Sequence, residues 1–209
     1  MKLNLKNILN TLIDIKNYVF PIKKIISKFQ NINSKEDLKN FIQERSAHVT
    51  QTTLYGYIKT RIGSRYAMMF EDKVFSNSIN IAKWNIYMSA LSDCTIYVFS
   101  NLIKEKNLQK NDAEEIFINI VENEKKNGLE DKILEEAKID FKQRIKTVDW
   151  QTYYLEQPFK NSGLALYKWS PIAEDLKALD KEIVLNSIML KWNLVENELK
   201  DLTQNLNFN

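Results

Sequence analysis

Apolar residues recur every three or four positions along most of the chain, the spacing that places them on one face of an α-helix. The first such stretch runs from Leu3 to Phe29, and its apolar face carries five aliphatic residues: Leu5, Ile8, Leu9, Leu12 and Ile15. Pro21 lies inside this stretch and is expected to kink or break the helix, because proline has no N–H to donate.

The second predicted helix has start and stop signals in the sequence. Ser34 followed by Asp37 is close to a capping box, so the helix is predicted to begin at Lys35. Gly63 suits the position just after a helix, where the left-handed conformation is common, so the helix is predicted to end near Ile62.

The third and fourth helices follow after short connections. The third is predicted from Lys73 to Lys106 and is apolar on more than one face around its middle, which favours a central position. Asn111 with Glu114 is predicted to cap the fourth helix, which stops at Gly128 because glycine ends helices readily.

The last third of the chain is predicted to hold two helices around one irregular segment. A fifth helix runs from Leu129 to Tyr154, and residues 158–169 (PFKNSGLALYKW) are predicted to form a loop or short irregular segment. Ser170 and Pro171 then provide an N-cap and a first-turn proline for a final helix that runs almost to the end.

These elements predict an all-α fold, an elongated bundle of five or six mostly antiparallel helices. Helices of about 25–33 residues would be roughly 40–50 Å long. Only four Gly and three Pro are present, and this scarcity argues against the many turns of an all-β protein. We expect one domain over residues 1–209, with residues 1–33 as a candidate semi-independent amphipathic helix.

The single cysteine and single histidine exclude several chemistries. Cys94 has no partner for an intramolecular disulfide, which suits a reducing compartment. One Cys and one His cannot build a Cys/His zinc site, and a di-iron bundle needs two Glu-x-x-His motifs. We therefore expect no metal and no cofactor, and a cytoplasmic protein.

The charge is distributed unevenly along the chain. Residues 1–70 carry twelve Lys/Arg and four Asp/Glu, whereas residues 71–209 carry eighteen and twenty-three. The basic first third either binds an anionic partner or is neutralised by the acidic remainder of the chain, and the sequence leaves both explanations open.

The N-terminal stretch has the composition of a helix that lies on an anionic membrane. It carries one acid, Asp14, and six lysines: Lys2, Lys6, Lys16, Lys23, Lys24 and Lys28. Residues 1–29 could therefore make peripheral contact with the inner membrane, although a protein partner is equally consistent with such a helix. The aromatic residues lie mostly in the acidic two-thirds, which argues against nucleic acid as a partner.

Polar residues interrupt the apolar side of the second helix and define a candidate site. Arg45, His48 and Thr52 lie there at helical spacing, and Asp93 interrupts the third helix in the same way. One interpretation is a polar core network in which Asp93 pairs with Arg45 or His48. The other is a small-ligand site whose candidate residues are Arg45, His48, Thr52, Tyr55, Arg61 and Arg65.

A hydrolase would have to be built around the same histidine. His48 would be the base, Ser64 a possible nucleophile and Asp93 the residue that orients the base. The chain contains no G-x-S-x-G elbow, so no established catalytic motif supports this assignment.

The run TLYGYIKTRIGSRYAMMFEDKVFSNSINIAKWNIY resembles a segment of a poorly characterised family of small alphaproteobacterial helical proteins, some of which are labelled "esterase". The resemblance covers roughly residues 41–100. It implies a bacterial, cytoplasmic context and makes the Arg/Tyr/Gly segment the hallmark of the family.

Two functional hypotheses follow from the sequence. The first is a non-enzymatic helical interaction or scaffold protein, whose basic N-terminal third docks on an anionic partner or membrane surface. The second is a small esterase-like hydrolase or ligand-binding protein with a polar site around His48.

Overall fold

A computed structural model describes residues 31–103 and 108–203. Within these ranges there is no β-strand, and the six helices of ten or more residues are α1 (Lys35–Ile62), α2 (Lys73–Leu102), α3 (Lys110–Glu124), α4 (Asp131–Thr147), α5 (Lys160–Trp169) and α6 (Glu174–Thr203). Shorter elements are a one-turn helix (Tyr66–Met69) and three 3-10 turns (Gly63–Arg65, Lys125–Asn127 and Tyr153–Leu155). The prediction of an all-α bundle is confirmed.

Helix α1 begins and ends where the sequence predicted. The hydroxyl of Ser34 accepts a hydrogen bond from the backbone N–H of Asp37 at 3.1 Å, and it donates one to the Asp37 carboxylate at 2.8 Å. Gly63 follows the last helical residue with φ of 64°, a conformation that glycine adopts without a steric penalty. Local capping chemistry therefore fixes both ends of this helix.

Helix α2 is the centre of the bundle. Its N-cap, Asp72, accepts hydrogen bonds from the backbone N–H groups of Val74 and Phe75 at 2.8 and 3.1 Å. Every residue from 90 to 100 is buried, because α1, α3, α4 and α5 pack around this helix. The predicted central position is correct, and α2 ends at Leu102, four residues before the predicted Lys106.

The predicted cap of the fourth helix was two residues off. Helix α3 has Gln109 as its N-cap, and the Asp112 carboxylate accepts the backbone N–H of Gln109 at 3.0 Å. Asp112 thus closes the capping box that the sequence assigned to Asn111 and Glu114. Gly128 follows the end of this segment in the left-handed conformation, with φ of 91°.

Three predictions for the last third were wrong. Helix α4 ends at Thr147 rather than Tyr154. Residues 160–169, predicted as irregular, form helix α5. Ser170 does not cap the last helix, because its hydroxyl donates to the Leu166 carbonyl at 2.6 Å and so closes α5. The last helix begins at Glu174.

The first predicted helix, residues 3–29, lies outside the described residues. The described chain enters α1 through Asn31, which is exposed. Helix α6 packs against both α1 and α5, so α1 and α6 form one side of the bundle.

Candidate functional site

Helices α1 and α6 run antiparallel and are joined by two arginine–carboxylate pairs. Arg45 donates from Nε and Nη2 to the two carboxylate oxygens of Glu198, at 2.5 and 2.6 Å. Arg61, four turns further along α1, binds Asp180 in the same bidentate way. Such paired bonds are stronger and more directional than a single contact. The residue number rises on α1 as it falls on α6, which defines the antiparallel alignment.

A groove of about 400 Å³ lies between these two helices. Its α1 wall carries the small side chains of Thr52 and Thr60 on either side of Gly56, each four residues apart. Ile183 and Lys191 are among the residues of the α6 wall. A Cβ atom built on Gly56 would have no heavy atom within 4 Å, so the groove is open at its middle.

An apolar stripe continues from this groove across the outer face of α6. Its five members are exposed by 37 to 77%: Leu176, Leu179, Ile183, Leu190 and Leu194. The opposite face of the same helix is the core face, with Val184, Ile188 and Trp192 almost fully buried. Helix α6 is therefore apolar on two faces, and only one of them is covered by described residues. Contiguous exposed apolar patches of this kind mark interaction surfaces in soluble proteins.

Acidic residues border the apolar stripe. Asp175 and Glu182 are exposed on its outer edge, one heptad apart. Helix α6 as a whole carries seven Asp/Glu and four Lys, and two of these acids, Asp180 and Glu198, are paired with arginines of α1. The exposed acids at the edge of the stripe favour a basic rather than an acidic partner.

Three of the six cations in the described part of the first third are paired with acids of later helices. Lys35 pairs with Asp112 of α3 at 2.9 Å, Arg45 pairs with Glu198 and Arg61 pairs with Asp180. Three contacts therefore link the basic α1 to acids of the later helices. Of the two explanations for the charge asymmetry, neutralisation within the chain accounts for these three residues.

The six predicted ligand-binding residues do not converge on one pocket. Of these, Thr52 and Arg61 line the α1–α6 groove, and Arg45 lies beyond it against Glu198. Tyr55 is buried and stacks on Phe70, with ring centroids 6.0 Å apart. The remaining two are a half-buried His48 and an exposed Arg65.

The predicted pairing of Asp93 with Arg45 or His48 is wrong. The buried Asp93 carboxylate accepts from Arg144 Nη2 at 2.5 Å and from the backbone N–H of Ser162 at 2.7 Å. Both carboxylate oxygens are thus occupied by α4 and α5. Burial raises the pKa of Asp93, and the Arg144 charge opposes that rise.

The same arginine extends this buried network. Arg144 donates from Nη1 to the Ser92 hydroxyl at 2.7 Å and from Nη2 to the phenol oxygen of Tyr153. The Tyr153 hydroxyl donates in turn to the Pro158 carbonyl at 2.7 Å. Ser162 accepts the indole N–H of Trp192 at 3.0 Å, which connects the network to α6. The network holds four helices together and leaves Asp93 no role in orienting His48.

The predicted catalytic set of His48, Ser64 and Asp93 does not assemble. His48 and Ile62 belong to the same continuous helix, and fourteen residues at about 1.5 Å each separate them by about 21 Å. Ser64 lies beyond Ile62, in the 3-10 turn. Direct contact between His48 and Ser64 is therefore impossible within one chain.

A second buried polar network, which sequence reasoning missed, surrounds Glu124. Gln43 and Tyr87 donate to Glu124 Oε1 at 2.7 and 3.0 Å, and Asn127 donates to Oε2 at 2.5 Å. Nearby, burial lowers the pKa of Lys83 to about 8, and the charge of Glu124 opposes that fall. Neither residue stood out in the sequence, because each is an ordinary charged residue in a helical pattern.

Other classes of site are not found in the described ranges. No three His, Cys, Asp or Glu side chains of residues 31–103 and 108–203 are arranged to hold a metal ion. Across the same ranges, no helix combines the length and the hydropathy needed to cross a membrane. Comparison with protein families, with curated proteins and with solved structures finds no match for this chain.

Proposed function

We propose that this is a non-enzymatic helical interaction protein that docks on an anionic membrane surface through residues 1–29. One observation carries the proposal: the described body neutralises its own basic residues, so the unbalanced positive charge belongs to the N-terminal segment. The described residues contain 22 Lys/Arg and 25 Asp/Glu, a net charge of −3. Residues 1–30 contain six Lys and one Asp, a net charge of +5.

The sequence of the segment suits a membrane surface better than an acidic protein pocket. Its lysines flank a continuous aliphatic pattern, and an interfacial helix needs both features, because the apolar face enters the bilayer while the cations meet the headgroups. Each Lys near an anionic surface contributes about 1 kcal/mol of attraction. Under this proposal the protein is cytoplasmic and bacterial, and it is peripheral to the inner membrane when the segment is bound.

The hydrolase hypothesis has no geometric support in the described residues. A serine hydrolase needs its base within hydrogen-bonding distance of the nucleophile. Helix α1 keeps His48 and Ser64 far apart, and Asp93 is fully engaged by Arg144 and Ser162. The body is better described as a packed scaffold, with its polar residues used to fix helix positions.

Sedimentation of the full chain with lipid vesicles tests the proposal. Vesicles of phosphatidylcholine are compared with vesicles that also contain phosphatidylglycerol, at low and high salt. We expect binding only to the anionic vesicles, weakened by salt and lost when Lys2, Lys6 and Lys16 are changed to Gln. The matched control changes three exposed lysines between α3 and the first turn of α4 to Gln: Lys125, Lys126 and Lys132.

Two outcomes would overturn the membrane proposal. One is equal binding to both kinds of vesicle, because a charge-driven contact must distinguish them. The other is an absence of binding to either kind of vesicle, because the six lysines of the segment would then give it no affinity for anionic headgroups.

A further inference from the structure

The proposed function does not explain the apolar stripe of α6. Its members project from the outer face of the helix, and Leu179 alone is 77% exposed. We infer that residues 3–20 of the same chain dock along this stripe and the adjoining α1–α6 groove. The inference deepens the proposed function, because the segment would then be shared between α6 and the membrane.

The apolar patterns of the segment and of α6 have the same period. In the segment, apolar residues alternate at spacings of three and four: Leu5, Ile8, Leu12, Ile15 and Val19. Leu176, Leu179 and Ile183 repeat that alternation on α6, and Leu190 follows one heptad after Ile183. Helices whose apolar residues recur every 3.5 positions pack along each other through that seam.

The lengths of the two elements also agree. Leu176 and Leu194 are eighteen residues apart, or about 27 Å along the helix. Residues 3–20 as a helix would be about 26 Å long.

The connection to α1 is long enough for this position. The alignment of Arg45 with Glu198 and Arg61 with Asp180 places Leu194 beside His48, about 21 Å along α1 from Ser34. Ile32 is fully buried, so the connection is limited to residues 21–30, which can span up to about 33 Å when extended. The C-terminal end of the segment can therefore reach the Leu194 end of the stripe.

Charge complementarity supports this segment as the occupant. Asp175 and Glu182 lie on the exposed edge of the stripe, one heptad apart. With residue 20 beside Leu194, Lys2 and Lys6 fall within two residues of the levels of these two acids on α6.

The groove provides room for close approach. Thr52, Gly56 and Thr60 form a row of small residues on α1, and the space above Gly56 is empty of described atoms. A mid-helix glycine destabilises a helix by about 1 kcal/mol relative to alanine, and close packing of a neighbouring helix against Gly56 would account for a glycine at this position. The docked segment would contact α1 through this row and α6 through Ile183.

Thiol labelling of the full chain tests the inference. Ile183 and Leu155 are both 69% exposed, one on the stripe and one in the 3-10 turn remote from it, so Ile183→Cys and Leu155→Cys form a matched pair. Cys94 is fully buried, and burial raises the pKa of its thiol to about 12. The wild-type protein therefore measures the background labelling rate. A neutral maleimide, followed by mass spectrometry, gives the two labelling rates.

We expect Ile183→Cys to be labelled at least about tenfold more slowly than Leu155→Cys, at a rate independent of protein concentration. Adding Leu5→Asp and Leu12→Asp should remove this protection, because the apolar seam of the segment is then interrupted. Equal rates for the two cysteines would overturn the inference. Protection that grows with protein concentration and survives the Asp substitutions would also overturn it, by identifying a second copy as the occupant.

Anionic vesicles distinguish this inference from the proposed function. If both are correct, vesicles containing phosphatidylglycerol should release the segment and raise the Ile183→Cys rate to that of Leu155→Cys. If the segment docks on α6 but has no affinity for the membrane, protection remains unchanged in their presence. That result overturns the proposed function and leaves the inference supported.

Discussion

Arg144 on α4 and Asp93 on α2 form a salt bridge inside the bundle, with 2.5 Å between Nη2 and Oδ1. The Asp93 side chain has no exposed surface, and its second oxygen accepts the backbone N–H of Ser162 on α5. One carboxylate therefore fixes two helices relative to the central one. Removal of one partner from such a pair leaves a buried charge without compensation.

Asp93→Ala should therefore destabilise the protein by about 3–5 kcal/mol, since both Arg144 and the Ser162 N–H lose their acceptor. His48→Ala is the comparison variant, because His48 is only half-buried and lies outside this network. Urea unfolding of both variants, followed by circular dichroism, measures the difference. Equal midpoints for the two variants would show that the Arg144 pair does not stabilise the fold.

Lys83 should make stability depend on pH in the alkaline range. Burial lowers its pKa from 10.5 to about 8 in the folded protein, so between these values the unfolded chain binds more protons. The contribution of Lys83 to stability should then rise with pH across that window, by about 3 kcal/mol in total, whereas the raised pKa of Cys94 opposes it above pH 9. Lys83→Met removes this contribution, so its unfolding free energy should gain less between pH 8 and pH 10. Parallel pH profiles for the two proteins would rule out the lowered pKa.

The two helical glycines should respond oppositely to alanine. At Gly56 a Cβ meets no described atom, so in a chain whose N-terminal segment is released by Leu5→Asp and Leu12→Asp, Gly56→Ala should stabilise α1 by up to about 1 kcal/mol. At Gly163 a Cβ would lie 3.1 Å from Leu185 Cδ2, so Gly163→Ala should give no gain or a loss. Thermal unfolding of the two variants measures both effects. A destabilised Gly56→Ala chain would contradict the open geometry at that position.

Local signals predicted some elements well and failed where packing decides. Ser34 and Gly63 carry capping chemistry that depends only on near neighbours, so the ends of α1 could be predicted. Residues 160–169 resemble a loop because of Ser162 and Gly163, yet they form α5 because α6 packs closely against that glycine. Tertiary contact overrides weak local propensity in such segments.

The candidate site was harder to predict for a similar reason. Asp93 could be recognised as a polar interruption of an apolar face, but its partner lies 51 residues away on another helix. Arg144 has no distinguishing pattern around it. The stripe on α6 was hidden because the helix is apolar on two faces, and the sequence does not show which face is covered.

The central claim is that the N-terminal segment binds either α6 or an anionic membrane. The affinity of full-length variants for vesicles containing phosphatidylglycerol tests this claim most directly. Ile183→Asn weakens the docking of the segment on α6 without adding charge. A larger fraction of the segment is then released, so binding of the protein to these vesicles should tighten about tenfold. Leu155→Asn, equally exposed in the wild-type protein but remote from the stripe, should bind as wild type does. Unchanged or weaker binding by Ile183→Asn would contradict the account.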